Sequence, residues 1–576
     1  MTDSNLIANA VVAQSNSQYI SIVAENGEQF NPNQKIIFNI EAEVGFVSQD
    51  SYLIFDVLNN SADKGRYCLQ KNLGAHALID RVDIFSKETG ILLESNTHYS
   101  TWANIENQYL FDDTTNLSNH QGVGKPVQSW KHQVKADGTA STVRSVPNPR
   151  FIENNQLSPV AALTTNGGAA CYTTRRFCIP LKVGLFGAYD DANTNAIPVL
   201  AFGGLRIEIT LAKPKIALQP LGYNYKDIAH QSKNADAEGD WVGGLALTDA
   251  PADMDTTTFT VVKTLTTAQG WRTNHLQDLG LVVGNKVKVS GKVTATKYGK
   301  TANDAFTTTG TIATIVPSTA QDILINGKTH SVSQTITITF TAAAVVNIDG
   351  YKDATMFRVL DDCNYKVMNT EFRLLQVVAP PNIADSIVKG GLNYQFNSYE
   401  VFFSNIPTGS LRHQIPINSV ASKALALFTM LYDSSNAEGE SYSSADMYNG
   451  ALPSHIHLND IVYFINNRLY PLRSYNPQNK ADKVLAQNEL VKALKAIGKM
   501  PMNLGNADFA DLEGYTNTPL ICRELARSGM VFDLRNAEPE LRLAFSQART
   551  QILRANTFVF SKKIVQTTAN GVQVIH

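Results

Sequence analysis

Two short stretches of this chain occur twice, and in the same order. Leu78-Ile79-Asp80-Arg81-Val82-Asp83-Ile84-Phe85 is echoed far downstream by Leu458-Asn459-Asp460-Ile461-Val462-Tyr463-Phe464-Ile465, with Leu, Asp and Val at matching positions. Leu205-Arg206-Ile207-Glu208-Ile209 is echoed by Leu541-Arg542-Leu543-Ala544-Phe545. Internal similarity is read before local propensity, because it fixes the architecture as one unit built twice. Two β units side by side in one chain describe a building block more readily than a catalyst.

The length allows this. A chain of 576 residues accommodates two large β units with insertions. Charged residues are only 17% of the chain, below the roughly 25% usual for soluble domains, so its surface is rich in Asn, Thr, Ser and Gln. That suits a molecule covered by neighbours. The formal net charge of −2 supplies no global field toward nucleic acid or an acidic membrane. The five cysteines, Cys68, Cys171, Cys178, Cys363 and Cys522, form no CxxC pair, which points to a reducing compartment rather than a disulfide framework. The start, Met1-Thr2-Asp3-Ser4-Asn5, lacks the basic and apolar regions of a signal peptide. No stretch approaches the roughly 20 apolar residues of a membrane-spanning helix. A soluble protein, not exported by the usual route, is expected.

Along the chain, residues 1–30 read as a polar arm with one apolar patch at Leu6 to Val12. Alternation at Ile36, Phe38 and Ile40 and the denser run Tyr52 to Leu58 read as sandwich strands. Trp102, Ile105 and Tyr109 recur at helical spacing, which predicts a short helix over Tyr99 to Tyr109. Residues 112 to 170 read as a long loop of the kind that serves function or an interface. Strands resume at Arg176 to Leu181, Ile197 to Phe202 and Leu205 to Leu211. Residues 220 to 360 turn Thr- and Val-rich, with an Asn326-Gly327 hairpin signal, and read as a small antiparallel β subdomain inserted into the first unit. Thr370 to Val378 closes that unit. Pro380-Pro381, a short helix over Ile383 to Lys389 and Gly390-Gly391 form a linker. The second unit contains the strand-like run Ala421 to Tyr432 and a helix near Val484 to Ile497, and it ends in strands at Thr557 to Phe560 and Val572 to Ile575. The class is mainly β.

Chemistry is thin. His455-Ile456-His457 with Asp460 is the best metal candidate, yet lacks a defined third ligand and reads as a solvated loop. Cys171 and Cys178 lack the further ligands a metal needs, and Asp190-Asp191-Ala192-Asn193 lacks the closing Glu of a calcium loop. HExxH, GxSxG and phosphate-loop motifs are absent. Arg468-Leu469-Tyr470 and Arg473-Ser474-Tyr475 place cations beside rings that could stack on bases, but turn capping beside Pro471 is the simpler reading. Lys562-Lys563 is too small a patch for a genome contact. No catalytic, cofactor-binding or metal residue is assigned, and no cofactor is expected.

The organisation resembles the double jelly-roll major capsid proteins, the lineage of polinton-like viruses, virophages and adenovirus hexons. The carriers are the strand pair Ile36 to Val57, then Phe177-Cys178-Ile179-Pro180-Leu181 followed by Leu205 to Leu211, the ending Val377-Val378-Ala379-Pro380, and the opening Tyr399-Glu400-Val401-Phe402 with Ser419 to Leu425. The resemblance implies two tandem upright jelly-roll sandwiches: an arm over 1–30, a first roll over 31–380 with its insertion at about 220–360, a linker over 381–391 and a second roll over 392–576. It implies a structural, non-enzymatic major capsid protein whose homotrimers form pseudo-hexameric capsomers of an icosahedral virion, assembled inside the infected cell. Partners would be neighbouring capsomers, penton and minor capsid proteins, with or without an internal membrane, and no sequence-specific nucleic acid. The resemblance to the polinton-like virus and virophage branch does not extend to the insertion at about 220–360. A viral fibre, spike or carbohydrate-binding adhesin is the alternative, and a β enzyme acting on polysaccharide the third.

Overall fold

The computed structural model describes residues 2–3, 16–61, 67–69, 73–109, 128–131, 144–147, 156–157, 174–189, 196–220, 245–246, 258–262, 286–293, 301–317, 320–325, 328–333, 335–340, 351–358, 364–378, 391–433, 458–466, 468–476, 480–499, 520–526, 532–548, 552–568 and 571–575. Within these the chain is mainly β. The first roll has eight principal strands: β1 (Asn16–Val23), β2 (Lys35–Ile40), β3 (Tyr52–Asn59), β4 (Ile79–Ser86), β5 (Leu92–Asn96), β6 (Thr174–Pro180), β7 (Leu205–Leu211) and β8 (Tyr365–Val378). One sheet runs β1–β8–β3–β6 and the other β2–β7–β4–β5, all antiparallel. Alternation explains the sandwich. In β2, Ile36, Phe38 and Ile40 turn inward while Lys35, Ile37 and Asn39 are less buried, so one face dries against Phe55, Phe177, Ile207 and Phe372. Each large apolar side chain so buried contributes about 1.5–3 kcal/mol.

The second roll repeats this order: β9 (Leu392–Ile406), β10 (Arg412–Pro416), β11 (Ala424–Asp433), β12 (Leu458–Ile465), β13 (Arg468–Tyr475), β14 (Leu520–Glu524), β15 (Glu540–Phe545) and β16 (Leu553–Thr568). Its sheets run β9–β16–β11–β14 and β10–β15–β12–β13. Each strand of the first roll thus has its counterpart eight labels later. Both rolls are jelly rolls: first and last strands pair, and successive strands switch sheets except at the hairpins β4–β5 and β12–β13. A β-bulge is repeated as well. Opposite β7, Thr210 pairs with Arg81 and Leu211 with Ile79, leaving Asp80 over. Opposite β15, Ala544 pairs with Asp460 and Phe545 with Leu458, leaving Asn459 over. An extra residue at the same point of the same strand bends both sheets alike. In both rolls a helix follows the fifth strand, α1 (Tyr99–Tyr109) and α2 (Lys480–Ala496).

Between β7 and β8 lies the segment read as an insertion. Leu245–Ala246, Tyr351–Arg358, Lys286–Val293, Ala305–Pro317, Thr335–Phe340 and Thr258–Val262 form one six-stranded sheet in that order. Ala320–Ile325 and Lys328–Ser333 form a separate hairpin, Ile325 pairing with Lys328 so that only Asn326-Gly327 separates them. Among the described residues none of these strands pairs with a strand of either roll.

Three readings change. Asn16–Val23, inside the stretch expected to be an arm, is the first strand of the first roll and pairs over its whole length with β8. Its Ile20 and Ile22 pack against the core while Ser17, Tyr19 and Ser21 face out, and the polar outward half hides the strand in composition. Thr2–Asp3 also pairs, parallel, with Leu392 and Asn393 of β9. Of the strand expected over Ile197 to Phe202, only Ala196–Ile197 is extended, and Val199–Phe202 is a turn of 3₁₀ helix. The linker over 381–390 and the patch at Leu6 to Val12 lie outside the described residues, as does the loop 112 to 170 apart from the paired strands Gln128–Lys131 and Arg144–Pro147 and the short Gln156–Leu157.

Candidate functional site at the joint between the rolls

The second roll has a closed interior of its own, where Leu427, Ile461, Tyr463, Leu541, Leu543 and Val559 meet. The first roll does not. Its core continues without interruption through α1 and the turn after β6 onto Tyr394, Phe396, Tyr399, Phe428, Phe558 and Phe560 of the second roll. The joint between the rolls is therefore core.

Its centre is Trp102. Helix α1 begins where the Trp102 N–H donates to the His98 carbonyl at 3.2 Å, with His98 at φ +52°. From Tyr99 to Glu106 the helix is buried on every side, its apolar residues Trp102, Ala103 and Ile105 as well as the polar Ser100, Thr101 and Asn104. The indole stands 4.4 Å from the ring centroid of Phe560, 5.2 Å from Phe428, 5.4 Å from Phe558 and 5.8 Å from Tyr399. Tilted and edge-on pairs at these spacings add roughly 0.5–1.5 kcal/mol each beyond area. Among the described residues the Trp102 Nε1 and the Tyr399 hydroxyl have no hydrogen-bond partner. Packing, rather than polar matching, holds this centre.

Polar contacts surround it. The buried Glu94 carboxylate, on β5, accepts the Gly184 N–H at 2.8 Å, the Leu185 N–H at 2.7 Å, the Asn96 side-chain amide at 2.9 Å and the Ser398 hydroxyl of β9 at 2.6 Å. One carboxylate thus ties a turn of the first roll to a strand of the second. The Asn397 amide donates to the Tyr189 carbonyl at 2.9 Å. The turn approaches so closely that a Cβ on Gly184 would lie 1.9 Å from the Asn397 carbonyl oxygen. Only glycine fits there. Lys182 and Glu106 form a buried ion pair at 2.7 Å. Burial pulls the Lys182 ammonium below its usual range, and the Glu106 charge opposes that pull. The Tyr99 hydroxyl lies 3.0 Å from His76 Nδ1 and accepts the Lys182 N–H at 3.0 Å, and burial raises the Tyr99, Tyr189 and Tyr399 phenols. Burial, aided by Arg554 of β16, pushes His98 down to about 4.

The residues singled out by motif are scattered. Asp460 lies on β12, while His455, His457, Cys171 and Asp190 to Asn193 fall outside the described residues. Among the described residues no three His, Cys, Asp or Glu side chains converge. Cys178 is half-buried on β6 and Cys522 buried on β14, and burial raises both thiols. Arg468 is exposed on β13. Lys563 is buried and faces Glu400 at 3.7 Å, inside the molecule rather than toward a genome. Sequence reasoning found Trp102 as a buried helix face but missed Glu94 and Gly184, whose significance lies in partners some 300 and 213 positions away.

No protein-family model matches the chain, and no curated protein matches it. Solved structures do. The Faustovirus major capsid protein is 11% identical over 96% of this chain and 91% of that chain, with a TM-score of 0.48. The PBCV-1 virus capsid is 9% identical over 98% and 97%, with a TM-score of 0.44. The mavirus major capsid protein is 9% identical over 97% and 90%, with a TM-score of 0.32. The strand orders themselves establish the fold: a double jelly roll, mainly β.

Proposed function

We propose that this chain is a major capsid protein: a structural subunit, without enzymatic activity, whose homotrimers form pseudo-hexameric capsomers of an icosahedral virion shell. The observation that carries this reading is the repetition itself. Two jelly rolls of one strand order, with the same bulge and the same helix after the fifth strand, are fused through a continuous core. A rigid block of two similar lobes supplies quasi-equivalent contacts from a single chain, and three such blocks present six lobes to a lattice. The surroundings would be neighbouring capsomers, penton and minor capsid proteins, and an internal membrane where the virion has one. The insertion between β7 and β8 folds as its own sheet, and we place it on the outer surface, where a lattice leaves room. Imaging of the purified protein by negative stain, with light scattering across a wide dilution range, tests the reading. Six-lobed prisms with the mass of a trimer are expected. Stable monomers at micromolar concentration, or fibres, would overturn it.

A further inference from the structure

The polar groups of the joint are matched at one end and not at the other. Around Gly184 the Glu94 carboxylate has four donors, and Lys182 has Glu106. Ser398, one of those donors, pairs with Ser561, so this matched end lies just beyond Phe560 on β16. In the other direction along β16, alternation places Phe558, Asn556 and Arg554 on the face that meets Trp102. Asn556 is fully buried, and among the described residues neither its amide nitrogen nor its oxygen has a partner. Among the described residues no carboxylate pairs with Arg554, and its buried Nε finds no acceptor. The Arg554 guanidinium carbon lies 4.4 Å from the ring centroid of Phe403, which pairs across from Asn556. Phe403 is 62% exposed, so solvent reaches this end of the joint. From the first roll comes His98, directly before α1, where the positive end of the helix dipole lies. Arg554 is the one charged group acting on the His98 ring, and no carboxylate balances it.

We infer that this end of the joint binds a small oxyanion, a phosphate or a carboxylate, between Arg554 and Asn556 of the second roll and His98 of the first. A guanidinium laid on an aromatic ring keeps its N–H edge free, and that fork matches two oxygens of one oxyanion. The Asn556 Nδ2 adds a neutral donor, and an acceptor there satisfies a buried amide that otherwise has no partner. The bound charge also draws a proton onto His98. Burial and Arg554 hold that imidazole neutral in the empty site, and a neighbouring anion offsets the Arg554 charge. Because His98 belongs to one roll and Arg554 to the other, the oxyanion clips the two rolls together. The inference rests on the geometry of a single chain and is independent of whether the chain forms a shell.

The test is isothermal titration calorimetry of the full chain with inorganic phosphate, and separately with acetate, at pH 6 and fixed ionic strength. Saturable one-site binding of phosphate is expected, weakened at least about tenfold in Arg554→Gln. Asn556→Leu keeps a similar volume without donors. It should weaken binding about tenfold while leaving the thermal midpoint of the ligand-free chain no lower. In the parent, binding should take up protons, read as a heat that varies with the ionisation enthalpy of the buffer. In His98→Asn that variation should vanish. Acetate binding as tightly as phosphate supports a carboxylate of another chain as the occupant, whereas binding of phosphate alone supports a free or esterified phosphate. Heats that fail to saturate with both anions would overturn the site, as would equal affinity in the parent and Arg554→Gln. Should Arg554→Gln fail to fold, equal affinity in the parent and Asn556→Leu overturns it in the same way.

Discussion

In the second roll, the sheet β9–β16–β11–β14 is dry on both faces, with its own sandwich interior on one side and the aromatic joint, covered in part by α2, on the other. In the first roll, the sheet of the same strand order is dry on one side only, and its outward face carries ion pairs and exposed rings. The topology is shared and the company is not. Strand order fixes where each face points, while the side chains on that face decide whether it becomes core or surface. The contrast predicts that substitutions at equivalent strand positions have unequal costs.

The largest costs belong to the joint. Trp102→Ala removes the ring on which four aromatic side chains of the second roll pack, and should cost about 3–5 kcal/mol in urea unfolding. Trp102→Phe should cost much less, since it keeps a ring and removes an indole N–H that has no partner among the described residues. Gly184→Ala should cost about 3 kcal/mol, because the backbone it strikes, at Asn397, cannot move without dragging β9. Tyr52→Ala, on the outward face of the first roll, should cost under about 1.5 kcal/mol in the isolated chain. Equal losses for Trp102→Ala and Tyr52→Ala would break the contrast.

An intermediate effect follows from His98, at the edge of the joint. Its folded pKa of about 4 lies below the unfolded value of 6.5, so between these pH values the unfolded chain binds the extra proton. Stability is complete above pH 6.5 and falls as pH drops toward 4, by up to about 3 kcal/mol. His98→Asn removes the titration and keeps a residue that tolerates φ +52°. Thermal midpoints measured from pH 4 to 7 should slope less in this variant than in the parent. An unchanged slope would assign the acid sensitivity elsewhere.

Much of the architecture was legible because β patterning has a short period. The echo found the right strands, since Leu78 to Phe85 and Leu458 to Ile465 fall on β4 and β12, and the second pair on β7 and β15. It missed the register. Letters align Leu78 with Leu458, whereas the burial patterns and shared bulge align Ile79 with Leu458, so that Val82 matches Ile461 and Ile84 matches Tyr463. A slip of one residue turns every side chain to the other face, so identity of letters is a weaker guide here than identity of burial. The second echo is off by two, Leu211 matching Phe545, which preserves the faces. The joint was less legible for a different reason. Glu94 and Ser398 carry no local pattern that announces a partner in another roll, and Gly184 sits in an unremarkable turn. β1 was hidden because an edge strand with a wet outer face shows only half an apolar alternation.

The smallest effect contrasts one chemistry in two settings. Lys182–Glu106 at the joint is buried, and losing one partner of such a pair costs about 3–5 kcal/mol because the other charge stays behind. Arg176–Asp56 on the outward face of the first roll has the better geometry, two parallel hydrogen bonds of 2.8 and 3.0 Å, with Asn369 adding a third at 2.9 Å. Yet the Arg176 side chain is 66% exposed, so water screens the pair and Arg176→Gln should cost under about 1 kcal/mol in the isolated chain. The Arg176 hydrogen bond holds the Asp56 carboxyl below its ordinary 3.8. This contribution is therefore present above that value and lost as pH falls through the lower folded pKa, so parent and variant should converge in strong acid, and also in high salt. Unfolding free energies of the parent, Arg176→Gln and Glu106→Gln at neutral pH give the difference directly. Equal costs for Arg176→Gln and Glu106→Gln would mean that burial does not separate the two pairs, and the contrast between the joint and the outward face would fail.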